Sequence, residues 1–214
     1  MNPVSGKSGQ SIHRLEDERL LKGKGRFIDN LNFKGQAYMH IVRSHSANAK
    51  INIKNSKEVK IMSGVLDVFT GNNLIQDGIL PIPVTLPFKR PGGGPALSEP
   101  YHALSQGTVR FVGQPLAIVV AESREQALQA AECLEVEYEE YPAVSGLLDA
   151  TEPEAPLLCS DLPDNIAASE TLGNKQELEN IFSNAHHITR IELINNRLVG
   201  TPLEPRGLNC YSDP

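Results

Sequence analysis

The chain has 214 residues, enough to bury roughly 70% of its unfolded surface around one large core or two small ones without disulfide or metal staples. A hydrophobic share of 40%, with 15 prolines and 17 glycines scattered along the chain, argues against wholesale disorder. The net charge of −6 and the 5% aromatic content supply neither a phosphate-tracking stripe nor a base-stacking platform, so nucleic acid is excluded as a partner.

No apolar export segment opens the chain, and nowhere do 18 apolar residues run together, so no membrane partner and a cytoplasmic location are expected. Cys133, Cys159 and Cys210 are odd in number and lack CxxC spacing, which leaves no raw material for a disulfide framework or a zinc knuckle.

In chain order, residues 36–42 predict a strand with Tyr38, His40 and Val42 on one face and Met39 and Ile41 on the other. Residues 55–62 predict a short helix with Asn55 at its cap, stopped by Gly64, and residues 65–69 a second strand. Residues 77–100 hold Pro81, Pro83, Pro87, Pro91, Pro95 and Pro100 with the Gly92-Gly93-Gly94 run, which forbids regular ladders and predicts a long excursion loop. Such a loop is either a contact-making segment or a surface Ω-loop.

The apolar run 116–121 predicts a strand covered on both faces. Ser123 is placed to accept from the backbone N–H of Gln126 while the Gln126 side chain reaches back, and Ala127, Ala130, Ala131 and Leu134 then repeat at helical spacing, so a helix starts near Arg124. Leu134, Val136 and Tyr138 alternate with Glu135, Glu137 and Glu139, the pattern of a strand with one buried and one charged face. Two strand-helix-strand units around a proline-rich excursion imply an α/β or α+β domain ending near Tyr141. Residues 142–174 read as an extended connector, residues 177–184 as a helical turn, and residues 187–194, 198–199 and 208–211 as strands of a second module.

Local chemistry is sparse. Gly23-Lys24-Gly25 carries two glycines of a dinucleotide fingerprint, but Ile28 stands where the third belongs and no strand precedes it; Gly92-Gly93-Gly94 is followed by Pro95 rather than a Walker lysine. None of His13, His40, His45, His102, His186 and His187 pairs at the i,i+4 spacing of a helical zinc site, and the adjacent His186 and His187 face opposite ways in a strand. No nucleophile elbow is present. Glu16-Asp17-Glu18 and Glu135, Glu137, Glu139 and Glu140 are paired acids, the second group explained by a solvated sheet face.

Longer strings carry a resemblance. Arg14-Leu15-Glu16-Asp17-Glu18-Arg19-Leu20-Leu21-Lys22-Gly23-Lys24-Gly25-Arg26-Phe27-Ile28-Asp29, then Val109-Arg110-Phe111-Val112-Gly113-Gln114-Pro115-Leu116-Ala117-Ile118-Val119-Val120-Ala121-Glu122, then Leu134-Glu135-Val136-Glu137-Tyr138-Glu139 with Tyr141-Pro142-Ala143-Val144, resemble in order the large, molybdopterin-binding subunit of molybdenum hydroxylases. Asn195-Asn196-Arg197-Leu198 and Leu203-Glu204-Pro205-Arg206-Gly207 are similar to the start of that family's cofactor-binding domain, in the style of its carbon monoxide dehydrogenase branch. One block departs: where the family commonly reads Arg-Ser-Pro-His-Ala-His-Ala, this chain reads Arg43-Ser44-His45-Ser46-Ala47-Asn48-Ala49.

The resemblance implies an α+β fold: the aldehyde oxidase and xanthine dehydrogenase α/β hammerhead domain at 14–145, an extended connector at 146–175, and the first strands of an incomplete molybdopterin-binding domain at 176–214. It implies an oxidoreductase that hydroxylates aldehydes, purines or other N-heterocycles, or oxidises carbon monoxide, with molybdenum-molybdopterin of the cytosine dinucleotide type in the full-length enzyme. The implied partners are the remainder of the large subunit and iron-sulfur and FAD subunits. In the family the cofactor-contacting glutamine, the glycine-rich active loop and the catalytic glutamate follow the Glu-Pro-Arg-Gly block. No catalytic, cofactor-binding or metal residue is therefore assigned here, and the isolated chain is expected to be inactive. The alternative is a stand-alone, non-catalytic scaffold or binding module, or a split-gene subunit completed by a partner chain; a decayed gene fragment is a third reading.

Overall fold

Register divides the strands between two sheets. The computed structural model describes residues 9, 13–83, 87–97, 99–159, 162, 164–196 and 198–211. Its elements in chain order are α1 (Asp17–Leu21), β1 (Tyr38–Arg43), β2 (Ala49–Ile53), α2 (Ser56–Lys60), β3 (Val65–Thr70), α3 (Gly71–Gln76), β4 (Thr108–Val109), β5 (Pro115–Ala121), α4 (Arg124–Glu132), β6 (Val136–Glu140) and α5 (Lys175–Ser183). They fall into two units, one formed by residues 37–188 and one drawn from residues 1–36 and 189–214. The expected excursion and connector include residues 84–86, 98, 160, 161 and 163, and one block of the resemblance includes Arg197; these lie outside the described residues.

Within residues 37–188 one sheet has the order β1-β5-β3 and the other β4-β2-β6, with every pairing antiparallel. The apolar run predicted as a doubly covered strand is the centre of the first sheet, and Leu116, Ala117, Val119 and Ala121 are fully buried. Ser123 caps α4 as expected, its hydroxyl accepting from the Gln126 N–H at 3.2 Å. The Gln126 side chain does not complete the expected box; it lies over Gly64, whose φ of +77° and missing Cβ make room for it. Ala127, Ala130 and Ala131 face the sheet, and their small size lets α4 sit close on a core of Val59, Val68, Ala117, Val119 and Leu134.

The two strand-helix-strand units do not each close into one sheet. β1 and β3 both flank β5, and β6 leaves α4 to pair with β2, a strand that the sequence pattern did not single out. Burial explains the choice: Val136 of β6 packs against both cores, and Tyr138 against the second core of Ala49, Ile51, Val109 and Leu116. Asn55 stands at the predicted cap of α2 but does not cap it. Its amide donates to the Cys133 carbonyl at 2.9 Å and accepts from the Glu135 N–H at 2.9 Å, joining the start of α2 to the turn that leads into β6.

The described part of residues 77–100 forms only isolated bridges, Ile82 with Tyr101 and Lys89 with Pro95 and Ser169. The stretch read as a connector lies against it. Leu97 N–H donates to the Ala167 carbonyl at 3.0 Å, Ser169 N–H to the Lys89 carbonyl at 2.8 Å, and Arg90 pairs with Asp164 at 2.9 Å. A 3-10 turn at Asp149–Thr151 and α5, capped by Asn174, complete this unit.

The second unit contains α1 and a 3-10 turn at Ile28–Asn30. The described residues of the stretches read as strands, 187–194, 198–199 and 208–211, form no β-ladder. A strand exists through a partner strand, and among the described residues no ladder pairs these stretches.

Candidate functional site

Antiparallel partners share a face, so register sorts the side chains of the first sheet. Val42, Ala117, Val119 and Val68 lie on the side of α4, as does His40, the partner of Val119. The alternate row, Ile41, Ile118 and Phe69, crosses the opposite face, with Met39 beside Val120 next to it. None of these five belongs to either hydrophobic core, and Met39 is 56% exposed. A sheet face that meets water alternates polar residues into such positions; an apolar row across three strands is the mark of a contact surface.

The outer face of the second sheet is the opposite case. Lys54 pairs with Glu137 at 2.8 Å, and Lys50 stands across from Glu139 at 3.9 Å. The acids at 137 and 139 are thus a solvated, ion-paired face, as the alternation implied. His45 packs its ring on Tyr138 with centroids 4.1 Å apart, and His186 and His187 lie outside any strand.

A polar network that the sequence did not single out centres on Arg110. Its Nε and Nη2 donate to the two carboxylate oxygens of Glu99 at 2.7 and 3.2 Å, and Nη1 donates to Oδ1 of Asn48 at 2.9 Å. Asn48 in turn donates from Nδ2 to the Pro142 carbonyl at 2.8 Å. Asn48, just ahead of β2 in the second sheet, is therefore at a junction of the start of that strand, the end of the excursion and the exit of β6. Ser46 is buried as well, its N–H bonded to the Ser44 hydroxyl at 3.1 Å. Of the two positions where the family commonly carries histidine, one thus holds Asn48, whose amide binds Arg110 and the Pro142 carbonyl, and the other Ser46, whose backbone is held by the Ser44 hydroxyl.

Arg110 also lines a cleft of about 400 Å³, with Tyr101, Phe111, Leu158, Leu162 and Ser105. The Tyr101 and Phe111 rings are parallel within 7° at 6.2 Å. His102 and Cys159 are also on its wall. The cofactor implied by the resemblance does not fit here. Its phosphates need uncommitted cations and donors, whereas the Arg110 charge is cancelled by Glu99 and all three of its nitrogens already donate to Glu99 or Asn48; the buried Ser105 hydroxyl is a single group without a partner among the described residues. Among the described residues no cluster of three or more His, Cys, Asp and Glu could hold a metal ion.

Two carboxylates are electrostatically distinctive. The Lys60 ammonium, hydrogen-bonded to Asp67 at 2.8 Å, outweighs partial burial and holds that carboxyl below the usual range. The N–H of Ile166, with Arg90 adding to it, does the same for Asp164. Both are structural ties, the second fastening the excursion to the following segment. No helix among the described residues is long and apolar enough to cross a membrane.

Comparison with known proteins agrees with this geometry. The family profile described as "Aldehyde oxidase and xanthine dehydrogenase, a/b hammerhead domain" matches residues 22–142. The chain is 29% identical over 204 residues to the carbon monoxide dehydrogenase large chain of Afipia carboxidovorans, covering 89% of this chain and 24% of that one. It is 30% identical to the 6-hydroxypseudooxynicotine dehydrogenase complex subunit gamma of Paenarthrobacter nicotinovorans, covering 96% and 25%. The structure of reconstituted CO dehydrogenase from Oligotropha carboxidovorans superposes with a TM-score of 0.65 at 29% identity, covering 84% of this chain and 22% of that one. The chain spans about a quarter of the length of these relatives.

Proposed function

The chain belongs to the aldehyde oxidase and xanthine dehydrogenase family through its a/b hammerhead domain, and from that membership we propose that it is the N-terminal part of the molybdopterin-binding large subunit of a molybdenum hydroxylase. In this reading residues 14–145 are the hammerhead domain, 146–175 a connector, and 176–214 the beginning of the molybdopterin-binding domain. The whole enzyme hydroxylates an aldehyde or N-heterocycle, or oxidises carbon monoxide, in the cytoplasm. It carries molybdenum-molybdopterin of the cytosine dinucleotide type and passes electrons to iron-sulfur and FAD subunits. The residues described here take no catalytic, cofactor-binding or metal-ligating part; they supply surface.

The observation that carries this reading is the apolar row Ile41, Ile118 and Phe69 on the sheet face opposite α4. A folded support needs such a face, and a self-contained enzyme would cover it with its own helices. The excursion offers a second contact, exposing Leu80, Ile82 and Phe88 while Arg90 and Lys89 fasten its base.

Two measurements test the proposal. Reading the gene past the codon for Pro214 should show several hundred further codons, whereas an immediate stop favours a stand-alone module. The purified 214-residue chain should contain no stoichiometric molybdenum and oxidise neither aldehyde nor purine; retained metal or turnover would overthrow the supporting role.

A further inference from the structure

Three contacts of different kinds converge on one residue of the smaller unit. The Ile28 N–H donates to a carboxylate oxygen of Glu204 at 3.0 Å, and the Ile28 carbonyl accepts from the Asn209 amide at 3.4 Å. Between these two in sequence, Gly207 presents bare backbone to the Ile28 side chain: a Cβ at Gly207 would stand 2.9 Å from Ile28 Cγ2 and 3.4 Å from Ile28 Cβ. Both backbone polar groups of Ile28 and its side chain are thus received by one short stretch, Glu204 to Asn209. The segment offered to it is shaped in advance, because Phe27 N–H donates to Oδ1 of Asn30 at 3.1 Å and Asn30 N–H to the Phe27 carbonyl at 2.9 Å. Gly207 is needed for the fit rather than for a left-handed backbone, since its φ is not in that region.

We propose that Glu204, Gly207 and Asn209 form a socket whose ligand is the chain's own Ile28, so that residues 26–30 act as an intrachain strap tying the segment that precedes residues 37–188 to the segment that follows them. Glu204 is a positioning residue: its carboxylate receives a backbone N–H. The socket selects a residue opening a 3-10 turn, whose N–H is not used within the turn, with a branched side chain small enough to rest on a glycine. In chain order, residues 37–188 then interrupt two pieces of one module. This does not depend on the substrate, cofactor or partners proposed above.

The test uses the full chain with Cys133, Cys159 and Cys210 replaced by serine. Ile28→Cys combined with Gly207→Cys places two Cβ atoms close to the roughly 3.5–4.5 Å separation of a disulfide. The oxidised pair should migrate faster on a non-reducing gel, reverse with reductant, and be absent from either single variant. Hydrogen exchange gives a reading without new cysteines. The Ile28 amide should exchange about tenfold faster in Glu204→Ala, stay near the wild-type rate in Glu204→Gln, which keeps a carbonyl acceptor, and leave the Val119 amide unchanged in both. Failure to cross-link, or an Ile28 amide indifferent to Glu204→Ala, would overturn the socket.

Discussion

Arg110 donates from Nη1 to Oδ1 of Asn48 at 2.9 Å while its other donors hold Glu99, so a cation near the end of the excursion is anchored through one amide to the carbonyl of Pro142. Removing that amide leaves an Arg110 N–H and the Pro142 carbonyl without their partners. Asn48→Ala should cost about 1–3 kcal/mol in urea denaturation, while Asn52→Ala, an exposed residue of β2, should stay within about 0.5 kcal/mol. Equal effects at the two positions would show that the junction contributes nothing.

Asn55 has the residue type of a helix cap but spends its amide on Cys133 and Glu135. Asn55→Ala should lower stability by about 1–2 kcal/mol. Asn55→Ser, which caps helices equally well, should recover little, because a hydroxyl does not span both the Cys133 carbonyl and the Glu135 N–H. Full recovery by serine would mean that capping α2 is the role after all.

Asp67 supplies the pH dependence. Its carboxyl is held below its usual range mainly by the Lys60 hydrogen bond, helped by the Val68 N–H, so the folded state binds this proton less readily than the unfolded chain. The contribution is fully present above the unfolded value of about 4 and is lost as pH falls through the lower folded value. Wild type should therefore exceed Asp67→Asn in melting temperature at pH 6 and converge with it as the pH is taken below 4. A gap that is constant with pH would contradict the assignment.

The two faces of the first sheet should respond oppositely. Val119 is fully buried under α4, and Val119→Ala should destabilise the chain by about 1–3 kcal/mol. Met39, on the opposite face, should accept lysine within about 0.5 kcal/mol. If that face is a contact surface, Met39→Lys should also reduce self-association of the isolated chain in light scattering. A large loss of stability from Met39→Lys would show the face to be core.

What the sequence alone determined is what short-range chemistry controls. The apolar run at 116–121, the Ser123 cap with its alanine stripe, and the alternating acids of β6 each declare an element, because periodicity and capping act over a few residues. The ordered strings also declared the family. Tertiary structure decided the pairings: that β1 and β3 share β5, that β6 crosses to β2, and that the two-residue β4 exists at all, since the partner of a strand is chosen by which faces must be buried together. It also decided the role of Asn55, the Arg110 junction and the Ile28 socket. Their members lie 78 and 80, 11 and 62, and 176 and 181 residues apart. A hydrogen bond needs its partners within about 3 Å in space, and nothing local in a polypeptide encodes which distant residue will arrive there.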